Sequence, residues 1–220
     1  MKKWRITALV IIACAVMGAV DAYIQPGYAA KSAIKMILFL LIPITYSLFN
    51  NEINLKTLIK PDKKGFALAF GLGVGVYAVV LGAYLVFRNI FDFSALTKSL
   101  NETTGVNKSN FIWVALYISF VNSFLEEFFF RGFSFITLKK FASRRFTYIF
   151  SSLSFALYHV AIMVGWFGVP VILISLVGLF AGGMIFNRFD EKNGNIYLSW
   201  LIHMFANFAT NTIGFMLFAS

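Results

Sequence analysis

Two adjacent acids, Glu126 and Glu127, lie in one of the most apolar stretches of this chain. Arg131 follows in the same stretch, and the only two histidines, His159 and His203, also lie in apolar segments. A charged side chain at the centre of a lipid bilayer costs about 3 kcal/mol on insertion scales, so ionisable residues found there usually mark a functional site. Residues of these types can transfer protons, stabilise a negative charge or bind a metal ion.

The spacing of these residues places them on common helix faces, because residues four apart are neighbours on an α-helix. Ser119, Asn122 and Glu126 form one polar stripe, and Glu127 is placed to pair with Arg131 in the favourable order, with the acid first. That pair leaves Glu126 without a local counter-charge. Two further stripes are Ser152, Phe155 and His159, and Ser199, His203, Asn207 and Asn211.

The chemistry expected of these side chains is proton transfer at a carbonyl group. A buried carboxyl group such as Glu126 suits a general base or acid, and His159, His203 and Asn207 could polarise a carbonyl and stabilise an oxyanion. The alternative is that Glu126, His159, His203 and Asn207 bind a divalent metal such as zinc. Asparagine is an unusual zinc ligand and the chain has no HExxH motif, so the metal is the weaker interpretation. No other cofactor is indicated.

The elements that must position these residues are membrane-spanning helices. Hydrophobic residues make up 60% of the chain and charged residues only 13%, whereas a soluble domain is nearer half apolar and a quarter charged. Several apolar runs also reach the roughly 20 residues that cross a bilayer. We therefore predict an all-α fold, a polytopic transmembrane helix bundle that forms a single domain over residues 1–220. Seven spans are expected, at about residues 5–24, 33–50, 65–87, 111–138, 147–165, 168–187 and 195–219.

The basic residues fall mostly on one side of this predicted bundle. Of the 19 lysines and arginines, 13 lie in the N-terminal segment and in alternate loops, whereas Lys31, Lys35, Arg88, Lys98 and Lys108 lie on the other side. The positive-inside rule then predicts a cytoplasmic N-terminus. The same sorting accounts for the net charge of +10, so no nucleic-acid partner is expected. The abundance of Lys, Asn, Ile and Phe is typical of an AT-rich bacterial genome, which indicates a bacterial cell membrane.

Depth within the bilayer tests whether the candidate residues can meet. At about 1.5 Å per residue from the cytoplasmic boundaries, Glu126 lies about 18–20 Å deep and His159 about 18 Å deep. His203 and Asn207 lie about 12–18 Å deep by the same count. Three helices of alternating direction are therefore predicted to bring these side chains into one layer.

Two other patterns near apolar runs have structural interpretations. Gly71/Gly75 and Gly178/Gly182 form GxxxG pairs, which predict close packing between helices. The first span, which follows a basic N-terminus, also resembles a secretory signal peptide, but Asp21 fits the cleavage site poorly and the span is retained. The single cysteine, Cys14, excludes an intramolecular disulfide.

Three motifs in order resemble a known family. Glu126–Arg131 is similar to its EExxxR motif, Phe155–His159 to its FxxxH motif and His203–Asn207 to its HxxxN motif. Their order and separations resemble the CPBP family of intramembrane proteases, which includes type II CAAX prenyl endopeptidases and bacterial abortive-infection and bacteriocin-immunity proteins. The resemblance covers about residues 111–211, which would form the catalytic core.

The resemblance implies a role for each motif residue. Glu126 would activate the attacking water with help from His159, His203 and Asn207 would hold the oxyanion, and Glu127 with Arg131 would support the site. Members are often labelled metalloproteases, and a glutamate-dependent mechanism without metal is the competing view. Eight spans are usual, so either the fourth span breaks near Gly132 or the eighth helix is absent.

The function expected is therefore that of an intramembrane endopeptidase. Its partners would be a peptide or protein substrate at the membrane and the lipid bilayer itself. Two alternatives remain: a proton-coupled transporter, because Glu and His chains also relay protons, and a non-catalytic binding or immunity protein. A transporter would more often show inverted repeats, and the sequence contains no visible repeat.

Overall fold

The computed structural model describes residues 1–60, 63–90, 97, 100–102, 104–164 and 166–219, with only the backbone of residues 63 and 64. The described residues are mainly helical, and seven helices are long and apolar enough to cross a membrane. The predicted all-α, membrane-spanning class is confirmed. Lys98, which contributed to the predicted topology, lies outside the described residues. The helices are α1 (Lys2–Ile24), α2 (Tyr28–Leu48), α3 (Gly65–Phe87), α4 (Phe111–Lys140), α5 (Arg144–Met163), α6 (Val169–Asn193) and α7 (Tyr197–Ala219).

Two helices extend furthest beyond the apolar runs from which they were predicted. α2 begins at Tyr28, before the expected residue 33, and α6 continues to Asn193, past the expected residue 187. An apolar run marks only the part of a helix that meets lipid, while backbone hydrogen bonds continue through polar residues at its ends. Lys31 consequently belongs to α2 and not to a loop, as does Lys35, which already lay within the predicted span.

The fourth helix passes Gly132 without a break. It contains two wide π-helical segments, Tyr117–Asn122 and Glu127–Thr137, which flank Glu126. π-Turns inside α-helices occur frequently at functional sites. At Gly132 a Cβ atom would lie 2.8 Å from Leu58, in the 3₁₀ helix Leu55–Ile59. The glycine therefore permits a close approach of this short helix and does not end α4, and the described residues contain seven spans.

Helix α4 lies at the centre of the bundle. Half of the residues in the most apolar part of α4 are buried, compared with 6% in α6, which therefore faces lipid. Its aromatic residues Phe129, Phe130 and Phe133 are almost fully buried, and Phe129 stacks on Phe39 of α2 with ring centroids 4.2 Å apart. The chain thus encloses its polar layer beside a dense aromatic core.

The predicted packing at the GxxxG pairs is wrong. A Cβ atom at Gly71, Gly75, Gly178 or Gly182 would have no neighbour within 4 Å. Close contact occurs instead at Gly73, which packs against Phe205 of α7, and at Gly183, where a Cβ would lie 3.0 Å from Ser152. A GxxxG motif identifies small residues four apart on a helix, but it does not show whether that face of the helix contacts another helix.

Candidate active site

Glu126 lies where α4, α5 and α7 meet, and the two histidines face it. Its Oε2 atom is 3.7 Å from Nε2 of His159 and 3.8 Å from Nε2 of His203. The Glu126 side chain is 3% exposed. The expectation that these groups share one layer agrees with this geometry.

Both imidazole rings are oriented through their other nitrogen. Nδ1 of His159 lies 2.7 Å from the backbone oxygen of Phe155, and Nδ1 of His203 lies 2.7 Å from Oε1 of Glu127. Since a carbonyl or carboxylate oxygen only accepts, each Nδ1 carries the proton and donates it. Nε2 of each ring then faces Glu126.

Phe155 explains the first residue of the FxxxH pattern. The Phe155 ring packs edge-to-face on His159, with ring centroids 4.6 Å apart. The guanidinium group of Arg131 also lies over the Phe155 ring, 3.9 Å from its centroid. α5 tightens at His159, whose N–H donates to the oxygen of Ala156, three residues earlier. The tightened turn and the aromatic contact together fix the direction of the imidazole.

Glu127 connects Arg131 to His203. Nε of Arg131 lies 3.3 Å from Oε2 of Glu127, the pair that the spacing predicted, while Oε1 accepts from His203. Arg131 is fully buried, and its cation is also covered by Phe155 and Phe186. Glu127 therefore orients the histidine, and Arg131 neutralises Glu127.

Lys35 corrects the expectation that Glu126 has no counter-charge. Its Nζ lies 2.5 Å from Oε1 of Glu126 and 2.5 Å from Oδ1 of Asn122. Asn122 in turn donates to the same Glu126 oxygen over 3.1 Å. The sequence analysis counted Lys35 among the charges on the non-cytoplasmic side, because it stands near the start of the second apolar run. The spacing of Lys31 and Lys35 could have indicated a helical position for Lys35, because residues four apart lie on one helix face.

The polar stripe of α7 joins this helix to its neighbours. Asn207 donates to the backbone oxygen of Ile118, and Asn211 donates to the backbone oxygen of Ala115 and to Ser119, each over 3.0 Å. Ser199, at the other end of the stripe, donates to Asp190 of α6 and lies away from Glu126. Ser152 bonds to Asn187 and likewise takes no part.

A cavity of about 240 Å³ encloses the candidate residues. Glu126, His159, His203 and Asn207 line its floor, with Lys35 beside them. Tyr28, Tyr117, Tyr158 and Trp166 supply aromatic walls. The arrangement combines a carboxylate, two imidazoles and an amide around a space large enough for water and part of a peptide chain.

The side chains do not match a metal centre. Among the described residues, no group of three or more His, Cys, Asp or Glu side chains has the arrangement to hold a metal ion. The ammonium group of Lys35 binds one oxygen of Glu126. A cation already beside the carboxylate would repel a divalent ion.

The sequence was compared with protein families, curated proteins and solved structures. The family described as "Type II CAAX prenyl endopeptidase Rce1-like" matches residues 108–209, just under half of the chain, including all three motifs. No curated protein and no solved structure gives a significant match. The match confirms the resemblance to CPBP proteases. Residues 108–209 are therefore similar to the type II CAAX prenyl endopeptidases of the Rce1-like family, which supports a CAAX-type intramembrane endopeptidase in general.

Proposed function

We propose that this protein hydrolyses a peptide bond of a membrane-associated substrate with a water molecule activated by Glu126. One observation carries the proposal: Oε2 of Glu126 faces Nε2 of His159 and of His203 at 3.7 and 3.8 Å. These separations are too long for direct hydrogen bonds and suit one bridging water.

Lys35 defines which oxygen of Glu126 acts. Because Lys35 and Asn122 both bind Oε1, Oε2 remains free to take a proton from the water. The resulting hydroxide attacks the substrate carbonyl carbon. The protonated Glu126 then gives that proton to the departing amine, which leaves a new carboxylate and a new amino terminus.

The negative oxygen of the tetrahedral intermediate needs donors. One amide N–H of Asn207 donates to the backbone oxygen of Ile118, and the second N–H can donate to the oxyanion. In its protonated form His203 donates from both nitrogens, to Glu127 through Nδ1 and to the oxyanion through Nε2. His159 holds the attacking water, so each polar residue of the floor has one role.

The setting we propose is a bacterial cell membrane, with the N-terminus in the cytoplasm. The positive-inside rule supports this orientation, and the positions of Lys31 and Lys35 strengthen it. Both lysines belong to α2 and bind Asp21 and Glu126, so they no longer count as loop charges on the opposite side.

The experiment that tests the function compares new protein termini in cell membranes. We expect fragments that occur with the wild-type protein and disappear with Glu126→Gln when the two proteins are present in the membrane at equal amounts. Glu52→Gln is the matched control, because the side chain of Glu52 is 64% exposed and pairs with Lys2, far from the cavity. Termini that are unchanged in Glu126→Gln membranes would contradict the proposed protease activity.

A further inference from the structure

The loops that carry most of the basic residues meet at one end of the bundle. Lys2 pairs with Glu52 at 2.5 Å, and Lys139 and Arg144 bind Glu191 at 3.0 and 2.7 Å. Lys140, at the end of α4, also donates to the backbone oxygen of Glu52 over 3.4 Å and links the two groups. The N-terminus, the loops after α2 and α4 and the end of α6 therefore form a single surface, which we call the basic face. By the positive-inside rule this face is cytoplasmic.

The cavity that holds Glu126 leads to the opposite end. Its rim contains Tyr28 and Lys31 from the start of α2, Thr104 from the segment before α4, and Trp166 from the turn after α5. All four residues are partly exposed. A second, more polar cavity of about 110 Å³ shares Lys31, Thr104 and Trp166 and adjoins the first at this end.

Towards the basic face the same site is closed. Phe129, Phe130 and Phe133 follow Glu126 along α4 and are at most 1% exposed. Beneath them the 3₁₀ helix Leu55–Ile59 is held against the bundle, because the N–H of Ile196 donates to the oxygen of Leu58 over 2.9 Å. Within the described residues, an apolar layer thus separates Glu126 from the cytoplasmic side.

We infer that the catalytic cavity opens to the extracytoplasmic side and that its substrates are polypeptide segments presented there. The substrates would be exported peptides or the outer membrane-flanking segments of membrane proteins. A lipidated tail in the cytoplasm would have to cross the phenylalanine layer to reach Glu126. The inference about substrates rests on the proposed function, whereas the direction of the opening does not.

Thiol labelling tests the direction of the opening. Ser32→Cys and Thr104→Cys, each in a Cys14→Ala background, place one thiol in the cavity wall or at its rim. Thr57→Cys marks the basic face and Ser109→Cys the opposite loop, where both native residues are exposed. The probe is MTSES, a membrane-impermeant anion.

We expect MTSES to label the Ser32→Cys, Thr104→Cys and Ser109→Cys variants in intact cells at least tenfold faster than in inside-out vesicles. Thr57→Cys should show the reverse. Two cavity variants are used so that the loss of one to misfolding leaves the test intact. Labelling of the cavity thiols from inside-out vesicles only would overturn the inference.

The positions of the cut sites test the substrate class separately. Termini that depend on Glu126 should lie in extracytoplasmic segments, and cytoplasmic cut sites would overturn this part of the inference. Labelling does not require peptide hydrolysis. Outside labelling without any Glu126-dependent terminus would therefore reject the proposed function and still support an outward-facing cavity.

Discussion

Replacing Lys35 with methionine tests the ion pair on which the proposed role of Glu126 depends. The two charged groups are 2.5 Å apart, and their side chains are 6% and 3% exposed. Removing one partner of a buried ion pair costs about 3–5 kcal/mol, whereas removing both is often nearly neutral. For a chain of this size that loss lowers the unfolding midpoint by roughly 6–20 °C.

We therefore expect Lys35→Met and Glu126→Gln each to be strongly destabilised, and the double variant to recover most of the loss. The assay is thermal unfolding of the purified protein in detergent micelles, with Lys108→Met as the control because Lys108 is exposed in a loop. If the losses of the two single variants simply add in the double variant, the two residues are not coupled and the reasoning is refuted.

Catalysis gives a second measure of the same pair. Lys35 fixes the carboxylate with Oε2 towards the histidines, and a displacement of about 1 Å at a catalytic group can reduce the rate about a hundredfold. We expect Lys35→Met to lower kcat by about that factor with little change in KM, and Lys35→Arg to restore part of it. A purely structural lysine would change the amount of folded protein and leave kcat of the folded fraction intact.

Three further predictions follow from the site. Arg131→Met and Glu127→Gln should each reduce the abundance of the protein in membranes. The double variant should recover this abundance only in part, because His203 also loses its Glu127 partner. Full abundance of both single variants on immunoblots would contradict the pairing. Asn207→Ala should lower kcat by about 10²–10³ if its amide stabilises the oxyanion, and an unchanged kcat would remove that role. Incubation with a chelator should leave the cleavage rate unchanged, and loss of activity that added zinc restores would show that a metal holds the water.

The sequence predicts the site well where one helix or one depth layer determines the contact. Glu127 and Arg131 are four residues apart on α4, and their pairing follows from that spacing alone. Glu126, His159 and His203 come from three helices, yet each helix crosses the same bilayer, so counting residues from the cytoplasmic boundary is enough to place them together. Membrane thickness supplies the common reference that a soluble protein lacks.

The sequence fails where a contact depends on how helices rotate against one another. Lys35 comes from a helix that carries none of the three motifs, and only the packing of α2 against α4 brings it to Glu126. The same limit explains the misplaced helix contacts: Gly73 meets Phe205, whereas Gly71 and Gly75 face open space. The hydrophobicity of α3 has almost no helical period, because lipid and the protein core are equally apolar.

The most direct test of the central claim is peptide hydrolysis in H₂¹⁸O, with a peptide that contains a cut site identified in cell membranes. Wild-type protein should place one ¹⁸O atom in each new carboxyl terminus. The Lys35→Met/Glu126→Gln variant should remain folded and form this product at least about a hundredfold more slowly. Formation of the ¹⁸O-labelled product by the folded double variant at the wild-type rate would contradict the claim that Glu126 activates the water.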